Sequence, residues 1–288
     1  MGILVTFDWL RANIDDPDLV VIDCTNFAAW SDQHQMYRTV SGRAHWIDEH
    51  IEGSRHADFT SGFCGDTSRF RNTLPSPETF ARAMAQLGVS NTSKVVLYDD
   101  AMSQWASRMW WMLRWIGFDN AAVLDGGWQH WDASGGPVSV APVSFQPGKL
   151  DLRDLHTLRP TLFSTRQDVM AALEDGTTLL IDALGADQFN GTQPVLGLAG
   201  HIPGAVNIPG TSLVDPITDC FIPLAQLADR FPKDRTTRTI LYCGSGVAAS
   251  SVALAMTRLG FDDVSIYMPG LQEWMTHADA PFDLPETR

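Results

Sequence analysis

Positive charge is scarce in this chain. Only 20 lysines and arginines face 34 aspartates and glutamates, giving a formal net charge of −14. Such a surface repels phosphate backbones and anionic lipid, which argues against nucleic acid or a membrane surface as a partner. No apolar run reaches the length of a bilayer span. The opening Met1-Gly2-Ile3-Leu4-Val5-Thr6 lacks the basic segment of a secretory signal. Cysteine is also rare: Cys24, Cys64, Cys220 and Cys243 lie far apart, with no CxxC pair and no zinc-ligand spacing. That sets aside a disulfide framework and a metal site, and leaves thiols expected to stay free in a reducing compartment. The expectation is a soluble, cytoplasmic protein. With no obvious exposed heptad or apolar stripe, it is expected to be a monomer.

What is present is a globular balance. Hydrophobic residues make up 44% and charged residues 19% of 288, enough chain for two domains of ordinary size. The most informative segment is Ile240-Leu241-Tyr242-Cys243-Gly244-Ser245-Gly246-Val247-Ala248-Ala249-Ser250. An apolar strand runs into a cysteine, then a small glycine-punctuated loop, then an apolar helix over 251–259. Successive loop amides and a helix N-terminus favour negative charge, and the thiolate is the reactive form of cysteine. The segment therefore predicts a nucleophilic Cys243 with a lowered pKa, cradled by Gly244, Ser245, Gly246, Val247, Ala248 and Ala249. Taken alone, the same pattern also fits a buried structural cysteine at a strand end.

The rest of the chain repeats itself. The first half carries Val20-Val21-Ile22-Asp23, His50-Ile51-Glu52-Gly53, Val95-Val96-Leu97-Tyr98-Asp99, Gly117-Phe118-Asp119-Asn120 and Leu124-Asp125-Gly126-Gly127-Trp128. The second carries, in the same order, Leu179-Leu180-Ile181-Asp182, His201-Ile202-Pro203-Gly204, Thr239-Ile240-Leu241-Tyr242-Cys243, Gly260-Phe261-Asp262-Asp263 and Tyr267-Met268-Pro269-Gly270-Leu271. Five blocks in matching order predict a duplicated domain. Strand runs at 95–98 and 240–242 alternate with helical patterns at 79–87, 105–116, 166–173 and 251–259, which implies βαβ units around a parallel sheet. The stretch 134–148, with Pro137, Pro142 and Pro147, is the linker candidate. The expected division is a non-catalytic domain over 1–140, a linker over 141–155 and a catalytic domain over 156–288. Asp99 stands where the second half has Cys243, and an aspartate cannot be a sulfur nucleophile.

These blocks together resemble the tandem-domain rhodanese superfamily, the thiosulfate and mercaptopyruvate sulfurtransferases. The likeness rests on Gly200-His201-Ile202-Pro203-Gly204-Ala205, on the Cys243-Gly244-Ser245-Gly246-Val247 loop, and on Arg108-Met109-Trp110-Trp111-Met112-Leu113 and Leu124-Asp125-Gly126-Gly127. It implies an α/β fold of two tandem rhodanese-like domains, each a mostly parallel central sheet flanked by helices, with the site at their interface. It also implies ping-pong sulfur transfer. The Cys243 thiolate takes a sulfane sulfur from a small anionic donor and passes it to cyanide, a thiol or reduced thioredoxin, with no metal or organic cofactor. The neutral residues after Cys243 resemble the mercaptopyruvate enzymes more than the thiosulfate ones.

The chain departs from that pattern in three places. Gln188, in Gln188-Phe189-Asn190-Gly191, replaces the first of two arginines that hold the donor carboxylate, and the second would fall at Gly197. A neutral amide does not match a bidentate guanidinium, so Gln188 is a weaker expected substrate contact. Asn72-Thr73-Leu74-Pro75 replaces a segment that usually carries a histidine, and Met268-Pro269-Gly270-Leu271 replaces an Asp-Gly-Ser-Trp segment. Arg69 and Arg71 lie in the segment that in the family closes over the cleft; one of them, with Arg71 the first choice, is expected to meet the anionic donor, and solvated loop charges are the alternative.

Other residues read more plainly. Ser245 is expected to bind a donor or hold the loop, with capping of the next helix as the alternative. His201 is expected to fix its Pro-Gly turn, Asp182 to order backbone amides, and Asp99 and Asp100 to serve as scaffold. Trp105, Trp110, Trp111 and Trp115 are expected in the core. Cys64 is at most a secondary redox thiol. A phosphatase would need an arginine six residues after Cys243, where Ala249 stands. A persulfide carrier or sulfide sensor with little turnover on small donors is the alternative to an enzyme.

Overall fold

The computed structural model of the chain describes residues 1–31, 36–66, 68–140, 143–193 and 200–283. Two five-stranded sheets organise it. The first runs Leu4–Val5, Ala121–Leu124, Lys94–Tyr98, Leu19–Asp23, Arg55–His56, and the second runs Phe163–Ser164, Val264–Tyr267, Thr239–Tyr242, Leu179–Asp182, Val206–Asn207. Every pairing within both sheets is parallel. The two orders are the same when read by position along each half, so the repeat in sequence is a repeat in topology. The central strands are buried except at Lys94, which is why they read as continuous apolar runs instead of alternating ones.

Local chemistry sets the helix ends. Ser76 caps Pro77–Gln86 by accepting from Thr79 N–H at 3.2 Å, with Pro77 in the first turn where its missing N–H costs nothing. Thr165 and Asp168 form a capping box at the start of Arg166–Asp175, and Gly176 ends it at φ 62°. The first half also carries an antiparallel hairpin, Asn26–Ser31 with Met36–Ser41, that has no counterpart among the described residues of the second. No helix among the described residues is long and apolar enough to cross a membrane.

The halves join through two helices, Gln104–Trp115 and Val247–Arg258, which pack on each other. Both are almost wholly buried. Trp105, Trp110, Trp111 and Trp115 belong to the core that runs across the joint. Each helix follows the strand that leads into Asp99 or Cys243, so the packing carries both strand ends to the boundary between halves. The second of these helices starts at Val247, four residues before the 251–259 pattern. Gly246, in the left-handed region at φ 80°, lets the chain turn directly into a helix that small residues then continue.

Candidate active site

Strand Thr239–Tyr242 holds Cys243 from behind. The Tyr242 hydroxyl accepts from Ile202 N–H at 3.1 Å, and the Cys243 carbonyl accepts from Leu271 N–H at 2.9 Å. Gly270 lies so close to that carbonyl that a Cβ there would overlap it, and its φ of 59° also favours glycine. Thus Pro269-Gly270-Leu271 clamps the cysteine backbone, while the side chain faces the loop. Gly246 N–H donates to Cys243 Sγ at 3.0 Å, and the amides of Ser245 and Ala249 also favour the thiolate. Because the helix begins at Val247, Ala249 acts from its first turn. Gly244 is buried, yet a Cβ on it would meet nothing within 4 Å, so a void lies beside this stretch of the loop.

The amides do not produce the lowered thiol pKa expected from the sequence. Cys243 is 3% exposed, and burial pushes its thiol above the ordinary cysteine value despite the three N–H groups. Removing a charge from water costs more than loop dipoles return here. Arg71 and Arg108 lie within electrostatic reach of the thiolate and are themselves pushed down by burial.

The first half contains the same cradle, already filled. Asp99 Oδ1 accepts from Ala101 and Ser103 N–H, both at 2.9 Å, and Oδ2 accepts from Ala106 N–H at 2.7 Å. Its carbonyl accepts from Trp128 N–H at 2.9 Å, and Gly127 crowds it as Gly270 crowds Cys243. A carboxylate thus occupies the position of the Cys243 sulfur and takes three converging amides. Burial lifts Asp99 to about 6, again outweighing the amides. Asp100 faces His45 at 3.2 Å, away from this cradle.

The roof over the Cys243 loop comes from the first half. Buried Asn72, at φ 53°, donates from Nδ2 to Ser245 Oγ at 3.0 Å, while its Oδ1 accepts from Thr39 Oγ1 at 2.8 Å. Ser245 therefore holds the roof to the loop and does not cap the helix, whose N-cap is Gly246 without a side-chain bond. Arg71 N–H donates to Gln272 Oε1 and Gln272 Nε2 donates to Arg71 O, each at 2.8 Å, a two-bond clasp between halves. Arg108, fully buried, donates to the carbonyls of Ser245 and Asn72 and touches Met268 Sδ at 2.6 Å, so one cation ties loop, roof and clamp together. Next to Asn72 a cavity of about 250 Å³ is lined by Arg38, Arg69, Arg71, Thr39 and Phe59 among others.

Several expected residues lie elsewhere or act otherwise. Gln188 Oε1 accepts from Gly185 N–H at 3.1 Å and closes the start of its own short helix; among the described residues nothing ties it to the cysteine loop. Its carboxamide oxygen is thus engaged locally, at the start of that helix. Gly197 lies outside the described residues. Among the described residues the His201 ring makes no bond to its own turn. It stacks on Phe189 at 3.7 Å and pairs through Nδ1 with Phe189 O at 3.0 Å. Asp182 Oδ1 accepts from Leu184 N–H at 2.8 Å. Cys64 is partly buried near Arg108.

Reading the sequence did not single out Asn72, Gln272 or Arg108 as parts of the site. Arg108 had a signal: a lone arginine inside Met109-Trp110-Trp111-Met112-Leu113 costs too much to bury unless it has partners. Asn72 had only its place in the segment that replaces the family's histidine-bearing one, and Gln272 had none, because their partners lie 173 and 201 residues away.

Comparison with known proteins bears on the duplicated fold. The profile of the rhodanese-like domain matches twice, at residues 6–134 and 165–277. The chain is 32% identical to 3-mercaptopyruvate sulfurtransferase of Escherichia coli, over 96% of each chain. It is 33% identical to thiosulfate sulfurtransferase of Bos taurus, over 96% of this chain and 92% of that one. The crystal structure of SseA from Escherichia coli superposes with a TM-score of 0.78 at 30% identity, covering 93% of this chain and 98% of the other.

Proposed function

As this chain belongs to the rhodanese-like family and is a sulfurtransferase, we propose that it moves a sulfane sulfur from a small anionic donor, of the 3-mercaptopyruvate or thiosulfate type, through a persulfide on Cys243. The acceptor is cyanide, a thiol or reduced thioredoxin. The observation that carries this reading is the convergence of the Ser245, Gly246 and Ala249 amides on the Cys243 sulfur, beneath a roof that bears Arg71.

The chemistry follows from that placement. The Cys243 thiolate attacks the transferable sulfur of the donor and forms a new S–S bond; with thiosulfate the donor's S–S bond breaks and sulfite leaves with the electron pair, and with 3-mercaptopyruvate the C–S bond breaks and the enolate that leaves takes up the donor's thiol proton to become pyruvate. The negative terminal sulfur of the persulfide then sits among the amides that held the thiolate, an oxyanion-hole arrangement applied to sulfur. Arg71 offers its charge to the donor anion. The void beside Gly244 gives the outer sulfur and the donor room. The acceptor attacks that outer sulfur, the S–S bond breaks, and the Cys243 thiolate returns for the next cycle.

The test is intact-mass measurement after incubation with 3-mercaptopyruvate or thiosulfate, followed by cyanide. The wild-type chain gains one sulfur atom on Cys243, then loses it with release of thiocyanate, and Cys243→Ser does neither. A Cys243→Ser variant that still turned over would sink the assignment. A persulfide that forms but is not discharged at a steady rate would leave a carrier.

A further inference from the structure

The two halves are built alike but differ in one buried charge. Ser103 and Gly246, both in the left-handed region, open the helices that follow Asp99 and Cys243. At the same distance from these caps (108 − 103 = 251 − 246 = 5) the first helix carries Arg108 and the second Ser251. Both side chains are buried. Ser251 stops at its own helix, where its Oγ donates to Ala248 O at 2.8 Å. Arg108 crosses to the other half, where it reaches Ser245 O and Met268 Sδ. Thus the cradle that holds a carboxylate receives no cation from this position. The charged group that acts on Asp99 is another carboxylate, Asp23. The cradle that holds a thiol receives a guanidinium.

That guanidinium has no counter-charge of its own. Among the described residues it takes part in no ion pair, and its Nε has no hydrogen-bond partner. Its other neighbours are the carbonyl of Asn72 and the face of Phe59, 5.7 Å from the ring centre. A fully buried cation held only by carbonyl dipoles and a ring is costly, and an anion nearby offsets that cost. Two thiols lie within its electrostatic reach, Cys64 and Cys243. Burial pushes the Cys64 thiol up, and the amides that favour a thiolate converge on Cys243 instead. Other charges also face Cys243. Arg71 does so from the half-buried roof, and Asp182, at the end of the neighbouring strand, opposes the thiolate.

The sulfur-transfer cycle keeps the charge at Cys243 constant, because both the thiolate and the terminal sulfur of the persulfide carry one negative charge. A cation that cannot move suits a charge that does not change. Resting on the sulfurtransferase reading, we propose that Arg108 is the resident counter-ion of Cys243, a positioning residue that reaches across from the first half and holds the nucleophile's charge in both forms, which leaves Arg71 to meet the donor.

Alkylation by iodoacetamide, followed on the Cys243 peptide across pH, reads the thiolate without turnover, so it tests Arg108 even if no donor is ever used. Arg108→Gln keeps an N–H donor and loses the charge, whereas Arg108→Lys keeps the charge and loses the fork. The glutamine variant is expected to move the alkylation midpoint up by about one pH unit, or about tenfold less thiolate at a fixed pH below it. The lysine variant should stay close to wild type. Arg71→Gln should move the midpoint less, since water screens a half-buried charge. Sulfur transfer by Arg108→Gln should recover as pH rises, which a merely loosened roof would not allow. An unmoved midpoint in Arg108→Gln, or equal shifts in the glutamine and lysine variants, would reduce Arg108 to a brace and overturn the proposal. A larger shift in Arg71→Gln would overturn it too. The wild-type chain supplies a second test that does not depend on how the variants fold. Iodoacetate and iodoacetamide leave adducts of nearly equal size on Cys243, one anionic and one neutral. The anionic adduct should melt several degrees higher, and an equal or lower Tm would refute a buried cation in need of an anion.

Discussion

Two glycines of one loop should respond very differently to the same added methyl group. Gly246 sits at φ 80°, and a Cβ on it would overlap Met268 Sδ while lying 3.0 Å from Met268 O and 3.2 Å from Arg108 Nη1. The left-handed conformation alone costs an L-residue about 1–2 kcal/mol, and overpacking against a clamped neighbour adds roughly 1–3 kcal/mol. Gly246→Ala is therefore expected to lower stability by about 2–5 kcal/mol, or about 5–15 °C in Tm for a chain of this size. Relief by rotation of residue 246 would turn its N–H away from Cys243 Sγ. Loss of one such donor lowers the rate of persulfide formation by about 10²–10³. Gly244→Ala is the control, because its Cβ meets nothing within 4 Å and its φ is not positive. Its stability should stay within about 0.5 kcal/mol of wild type, while the filled void raises KM for the donor. Thermal unfolding and single-turnover persulfide formation, measured side by side, decide the matter. A Gly246→Ala protein with unchanged Tm and rate would refute both the strain and the cradle.

Three more outcomes follow from the geometry. Asn72→Gly keeps the positive φ but loses the bonds to Ser245 and Thr39, so it should cost about 1–2 kcal/mol of stability and raise donor KM more than it lowers kcat; a variant with wild-type KM would detach the roof from donor binding. Because burial pushes the Cys243 thiol up, its alkylation by iodoacetamide should keep rising with pH beyond about 8.5, the ordinary cysteine value, and a plateau below that would show that the amides and arginines prevail. Burial raises Asp99 to about 6 and Asp182 to about 7, against about 3.9 when unfolded. The folded chain therefore holds these protons more tightly, and the stability they contribute is lost as pH rises through 6 and 7, by roughly 3 kcal/mol for Asp99. Asp182→Asn, which can still accept from Leu184 N–H, should flatten that part of the stability curve in denaturant titrations from pH 5 to 8, and an unaltered slope would count against the carboxyl's role.

Much of this protein is local and therefore legible in the chain. Apolar runs such as 95–98 and 240–242 have only one stable use, a buried strand, and their ordered recurrence carried the duplication and the α/β class. The Cys243-Gly244-Ser245-Gly246 run marked the loop, because a strand, a thiol and a left-handed glycine are all written within a few residues. Three things could not be read that way. The thiol pKa depends on how much water the whole fold excludes, and burial outweighed the amides that the sequence did reveal. The fate of Gln188 depended on whether its amide pointed to the cleft or to its own backbone at Gly185, a choice invisible without coordinates. The roof over the site rests on Asn72 with Ser245 and Arg71 with Gln272, pairs that meet only because two helices, Gln104–Trp115 and Val247–Arg258, pack the halves together. The sequence alone determined the repeated fold and the nucleophile candidate, since both arise from neighbours along the chain. Only the tertiary structure decided which cations surround the thiol and what they can bind, since charge and burial act through space.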